Sequence, residues 1–297
     1  MVGLDIRDAT AVAVEVDEHG AVRARAEAAG PDLAAAAVQA IERLTLTSGG
    51  PSVISSLGIA TTSPEAPAAA RAIASIASRY PDVFQPSAVI GAGTAAAVAE
   101  SWVGAARRVR DLVYFAVAEH TTAGIIRDGR PVTGAHGRAP AIAWLSLNPV
   151  EREDYRRAGC LEAEVAAAGI VRRMIWRIKA GDRSRVQDMV NGDLAAITLD
   201  RVLDAARDQD GVSISVIRDT AKYLGMAATN LVAIGDPEML VLGGIMASSA
   251  DLLLDPIRTE LARRLPGPMV DQLTLATSSL GADAAALGAA RHASTSP

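Results

Sequence analysis

Met1-Val2-Gly3-Leu4-Asp5-Ile6-Arg7-Asp8-Ala9-Thr10-Ala11-Val12-Ala13-Val14-Glu15-Val16-Asp17-Glu18-His19-Gly20 opens the chain. It holds two short β-rich runs, Val2–Ile6 and Ala11–Val16, and Asp17-Glu18-His19-Gly20 is a hairpin turn leading to a third strand near Ala21–Ala28. Pro31 then opens an Ala-rich helical stretch that stops at Thr47-Ser48-Gly49-Gly50. Val53–Ala60 is a buried strand, and Pro64–Arg79 a helix with Ala70, Ile73, Ile76 and Ala77 on one face. A short strand at Ala88–Ile90 feeds a helix from Thr94 to Arg107.

The pattern then starts again. Leu112–Ala118 and Thr121–Arg127 are strands, with Asp128-Gly129 a strong turn signal. A Gly/Pro-rich loop runs from Gly134 to Pro149, followed by helices over Leu161–Ala180, Asp200–Arg207 and Val212–Ile234. Met239–Leu242 is a strand ending at Gly243-Gly244, followed by a helix from Asp251 to Leu265, a strand at Leu273–Thr277 and a helix from Asp283. Strands joined by hairpin turns and then alternating helices and strands, twice over, predict two related α/β lobes with a cleft between them. The boundary is expected near residues 108–111, giving lobes 1–108 and 109–297, with the last helix crossing back onto the first.

Composition narrows the function classes. A net charge of −5 lacks the basic face that a nucleic-acid surface needs. One cysteine, Cys160, gives no disulfide framework and no cysteine-rich metal site, and is expected to pack in the core. The opening residues have no signal-peptide pattern. No apolar run reaches about 18 residues, because Leu231–Ile245 is interrupted by Asp236 and Glu238. A cytoplasmic protein is expected, with no membrane and no nucleic-acid partner.

Five segments, in order, resemble the ROK family of bacterial repressors and sugar kinases. Met1–Gly20 is similar to its first phosphate hairpin, and Gly91–Glu100 with Gly104-Ala105-Ala106-Arg107 to the helix that carries its catalytic aspartate. Val113–Gly137 resembles the second phosphate hairpin, and Gly159-Cys160-Leu161-Glu162 the end of the zinc loop and the next helix start. Asn230 through Gly244, with Asp236-Pro237-Glu238 and Gly243-Gly244, resembles the segment bordering adenosine. The resemblance implies an α/β, two-lobed actin-like ATPase (ribonuclease H-like) fold with a central cleft. It also implies self-association as a dimer or tetramer, and ATP with magnesium as the nucleotide if any is bound.

The same motifs show departures. The first phosphate loop, D-x-G-G-T in the family, is Asp5-Ile6-Arg7-Asp8-Ala9, with side chains where glycines would admit phosphate. The base motif N-D-A-N is Gly91-Ala92-Gly93-Thr94, and Ala92 cannot take a proton. Losing such a base costs about 10²–10⁴ in rate, or about 3–5 kcal/mol. The second phosphate loop is Ala118-Glu119-His120-Thr121-Thr122, where a carboxylate makes a poor anion cradle. The sugar-binding Glu and the His that binds sugar and zinc are Ala141 and Trp144. The zinc loop is Glu153-Asp154-Tyr155-Arg156-Arg157-Ala158-Gly159-Cys160, and one thiol cannot replace about four ligands. No zinc is expected.

Each remaining candidate has two readings. Asp5 either positions a magnesium-bound water or is kept for structure. Glu119, His120, Thr121 and Thr122 either build a new acid/base site at the cleft or form a solvated turn. His136 is a cleft-edge candidate or a plain loop histidine. Trp144 stacks on a ring or, the preferred reading, fills the space of the missing zinc loop. Glu151, Arg152, Glu153, Asp154, Arg156 and Arg157 are expected to form a solvated face. Gly243 and Gly244 border a nucleotide or serve close helix–strand packing.

The leading expectation is a catalytically silent kinase homologue that binds a small molecule, such as a sugar, or a partner protein. The alternative is an ATP-dependent hexose kinase whose rearranged site uses Glu119, His120 or Asp8 for proton transfer. A DNA-binding repressor is the third reading; a first strand at Val2 leaves no room for a DNA-reading module ahead of it.

Overall fold

The computed structural model describes residues 1–47 and 54–295. β1 (Val2–Ile6), β2 (Thr10–Val16), β3 (Val22–Ala29), β4 (Leu57–Thr61) and β5 (Phe84–Gly91) form one sheet in the order β3-β2-β1-β4-β5. β1 runs antiparallel to β2 and parallel to β4, with Asp5 opposite Val12 on one side and Ala60 on the other. Helices α1 (Leu33–Thr47), α2 (Pro67–Arg79) and α3 (Ala92–Trp102) accompany it. Every residue of β1 is buried, as expected for a central strand covered on both faces.

The second sheet has the order β10-β9-β6-β7-β8 and uses β6 (Leu112–Val117), β7 (Thr121–Arg127), β8 (Arg130–Pro131), β9 (Met239–Gly244) and β10 (Thr274–Thr277). Between β8 and β9 lie α4 (Glu153–Ala158), α5 (Cys160–Val165), α6 (Ala167–Lys179), α7 (Arg185–Met189), α8 (Leu199–Arg207) and α9 (Gly211–Gly235). Then follow α10 (Ile245–Ser248), α11 (Ala250–Arg264), α12 (Gly267–Gln272) and α13 (Ala284–Thr295). The larger core joins Phe115 and Val117 of β6 to Leu224 of α9 and Leu253 of α11. A separate core under the first sheet joins Ile41, Leu44 and Ile59.

The C-terminal helix α13 packs on the first sheet at backbone distance. A Cβ on Gly3 would stand 1.8 Å from the Ala286 carbonyl oxygen, and one on Gly58 2.0 Å from that of Ala289. Gly288 in turn faces α3, where a Cβ would reach 1.7 Å from the Ala95 oxygen. These contacts exclude any side chain, which is why small residues fill both surfaces. Among the described residues no helix is long and apolar enough to cross a membrane.

Several elements differ from expectation for physical reasons. The helix expected over 94–107 is Ala92–Trp102, because Glu100 turns its carboxylate back to accept from the Ala105 amide at 2.8 Å and closes the C-terminal end. The helix expected over 161–180 breaks at Ala166, which is extended (φ −66, ψ 159). There the Ala167 amide donates to the Ala118 carbonyl of the β6–β7 turn instead of to its own helix. On α2 the buried residues are Ala69, Ala72 and Ile76, while Ala70 is exposed, so the apolar face is rotated from the one expected. The strand expected over 53–60 is Leu57–Thr61; the Ser48-Gly49-Gly50 stop and Val53 lie outside the described residues.

Candidate functional site: the cleft between the phosphate hairpins

Asp5 lies near the end of β1 and is buried. The Arg7 guanidinium folds back onto it, Nε to Oδ2 at 2.7 Å, and its Nη2 donates to the Ala282 carbonyl at 2.6 Å. Burial raises the Asp5 carboxyl above its ordinary range, with Arg7 opposing. The guanidinium therefore occupies the carboxylate to which the resemblance assigns a magnesium-bound water.

The two hairpin turns touch. His120, at the β6–β7 turn, faces Asp8 Oδ2 through Nε2 at 2.9 Å and Glu162 Oε1 of α5 through Nδ1 at 3.1 Å. The other Glu162 oxygen accepts from the Thr121 amide at 2.8 Å and from its hydroxyl at 3.2 Å. The hydrogen bond to Glu162, helped by Asp8 and opposed by burial, lifts the His120 pKa to about 9. At neutral pH the ring is an imidazolium with both N–H groups occupied, so it cannot accept a substrate proton.

Asp8 and His120 thus meet where two phosphate loops would face each other. Around them stand the carboxylates of Asp5, Asp8 and Glu162 against the cations of Arg7 and His120, so acidic groups outnumber basic ones. Such a place repels a polyphosphate. The residues present therefore do not fit magnesium-bound ATP.

The other candidates stand apart. Glu119 and His136 are exposed, and neither side chain has a hydrogen bond among the described residues; Thr122 is half-buried. Ala92 is the buried first residue of α3 and offers no oxygen. Gly243 is closed in by β6, since a Cβ there would stand 2.3 Å from the Tyr114 hydroxyl. Gly244 has φ +59, and its Cβ would stand 1.9 Å from the Val117 carbonyl. Strand packing and backbone conformation are enough to require both glycines.

Where the family's zinc loop would end, a carboxylate holds the chain. Glu164 is buried and accepts from Arg152 Nη1 at 3.0 Å, from Arg173 Nη2 at 2.5 Å and from the Tyr155 hydroxyl. Arg173 also donates to Thr220 Oγ1 at 2.9 Å, and Arg152 pairs with Asp154 at 2.7 Å. The expected solvated face is thus anchored at one point: Arg152, still 40% exposed, pairs with buried Glu164. Cys160 packs against Tyr155 and Ala163. Among the described residues no group of three His, Cys, Asp or Glu could hold a metal ion. Trp144 does not fill this space, since its side chain is 59% exposed. Gly159 explains this: a Cβ there would strike the Ala143 oxygen at 2.1 Å, so the loop backbone rather than the indole packs against α5.

Glu162 and Glu164 were absent from the expected site residues. Glu162 lay within a matched motif, but nothing local marked it as the partner of His120. A cavity of about 730 Å³ lies elsewhere, lined by Arg183, Ser184, Asn191, Gly192 and Asp210.

Two mixed sheets with helices, meeting at paired hairpins, define a two-lobed actin-like α/β protein. A family model described as ROK family matches residues 67–296, and the chain belongs to that family. It is 27% identical over 195 residues to a glucokinase of Halalkalibacterium halodurans, covering 65% of this chain and 59% of that one. It is 30% identical over 176 residues to a xylose repressor of Caldicellulosiruptor bescii, covering 57% of this chain and 42% of the repressor. The chain thus spans about two-fifths to three-fifths of the length of these relatives. A solved ROK glucokinase from Streptomyces griseus, in complex with glucose and AMPPNP, superposes with a TM-score of 0.83 at 22% identity, covering 100% of this chain and 99% of that one.

Proposed function

We propose that this chain is a ROK-family protein that does not transfer phosphoryl groups and uses its cleft to bind a small ligand of the sugar class in a regulatory role. The observation that carries this reading is the direct contact of Asp8 with His120 across the two hairpins. No phosphate chain passes between side chains at hydrogen-bond distance, and catalysis of this transfer is almost wholly positioning and charge stabilisation. Ala92 at the base position and Arg7 on Asp5 point the same way. A glucokinase and a xylose repressor among the relatives support a sugar as ligand and leave regulation as natural a role as catalysis. Of the bases that the hexose-kinase alternative could use, His120 and Asp8 are bonded to each other and Glu119 stands exposed, which favours the silent reading. A cytoplasmic dimer or tetramer completes the proposal.

Calorimetric titration with ADP and with Mg-ATP tests it. No heat up to millimolar nucleotide is expected. Micromolar binding would overturn the reading and call for a sugar panel with ADP detection.

A further inference from the structure

The two lobes are tied together at the cleft by their own side chains. Asp8 comes from the β1–β2 turn of one sheet, and His120 from the β6–β7 turn of the other. A second tie joins Glu65, just before α2, to Arg138 in the loop after β8: Nε and Nη2 reach one carboxylate oxygen at 3.0 and 2.6 Å. Where α3 meets β7 the lobes have no slack. A Cβ on Gly93 of α3 would stand 2.2 Å from the Ala123 carbonyl of β7, and one on Gly124 2.3 Å from the Gly93 carbonyl. The ties, by contrast, are made by partly exposed side chains.

We propose that Asp8, His120 and Glu162 form an autoinhibitory latch that holds the lobes closed without ligand, with Glu65–Arg138 as a second clasp, so that a ligand enters only after the latch parts. A neutral imidazole donates to one carboxylate, while an imidazolium donates to both, so the closed form favours the charged ring. The charged groups around that ring are Glu162 on α5, Asp8 and Arg7 on the opposite hairpin, and the exposed Glu119 on its own turn; Arg7 is turned away onto Asp5. With its pKa raised to about 9, chiefly by the Glu162 bond, the latch is engaged at neutral pH and loosens above that value. The inference rests on the reading of the cleft as a silent phosphate site, yet the two fail separately, because the test below uses no nucleotide.

The test is amide hydrogen exchange of the full chain, comparing wild type with Asp8→Ala and Glu65→Ala. Both side chains are about two-thirds exposed, so both variants should fold. Parting an exposed pair worth up to about 1 kcal/mol corresponds to about a fivefold faster exchange. The latch predicts that rise in residues 118–122, on the lobe opposite the Asp8→Ala change, and a larger rise when both ties are cut. Faster exchange confined to residues 6–10, or no change, would overturn it. Heat from Mg-ATP on wild type would refute the silent-site reading alone.

Discussion

Replacing Glu164 with alanine removes the carboxylate on which Arg152, Tyr155 and Arg173 converge. Removing one partner from a buried ion pair costs about 3–5 kcal/mol, because the other charge is left unpaired in the interior. Two features soften that here. The Arg152 side chain is 40% exposed and keeps Asp154. Arg173, at 16% exposure, keeps Thr220 and the backbone carbonyl of residue 164. The expected loss is therefore about 2–4 kcal/mol, read as a lower urea midpoint at pH 7 with an unchanged slope. Glu164→Gln, which keeps the volume and one acceptor, should lose less. A loss under about 0.5 kcal/mol for Glu164→Ala, the range of an ordinary surface change, would refute the view that this cluster pins the segment in place of a metal.

Three further outcomes follow from the same contacts. The His120 pKa, raised from 6.5 to about 9, gives stability that is full below about 6.5 and lost as pH rises through 9. The shift alone corresponds to about 3 kcal/mol, and one-third exposure of the side chain cuts that to about 1–2 kcal/mol; urea midpoints of wild type and His120→Asn should converge by pH 10. Gly288→Ala forces a methyl to 1.7 Å from the Ala95 oxygen and should cost about 1–3 kcal/mol by overpacking α13 against α3, seen as a lower melting temperature. Stripping with a chelator, or adding zinc, should leave the melting temperature unchanged, since among the described residues no group of three His, Cys, Asp or Glu could hold a metal ion.

The local signals read well wherever local physics decides. Val2–Ile6 and Thr121–Arg127 stand at the bounds their β-branched, alternating patterns predict. The Asp17 turn forms because its carboxylate accepts from the His19 and Ala21 amides, both at 2.9 Å. Helix ends were misread where a tertiary contact overrode propensity, as at Ala166, whose neighbour bonds the β6–β7 turn. The candidate site was half legible. Asp5, Arg7 and Asp8 are candidates from one phosphate motif, and His120 and Thr121, with Glu119 and Thr122, from the other. That His120 would bridge residues 112 and 42 positions away depends on how two hairpins and α5 dock, which no window of sequence carries. Trp144 was placed in the interior on volume alone. The loop that Gly159 lets settle on α5 leaves the indole in solvent.

The central claim is that this cleft does not transfer phosphate, and the most direct measurement is ADP release from Mg-ATP across a panel of hexoses. No sugar-dependent release above background is predicted, with wild type and Asp5→Ala indistinguishable. Turnover of about one per second or more, the range of working kinases, that Asp5→Ala abolishes would contradict it.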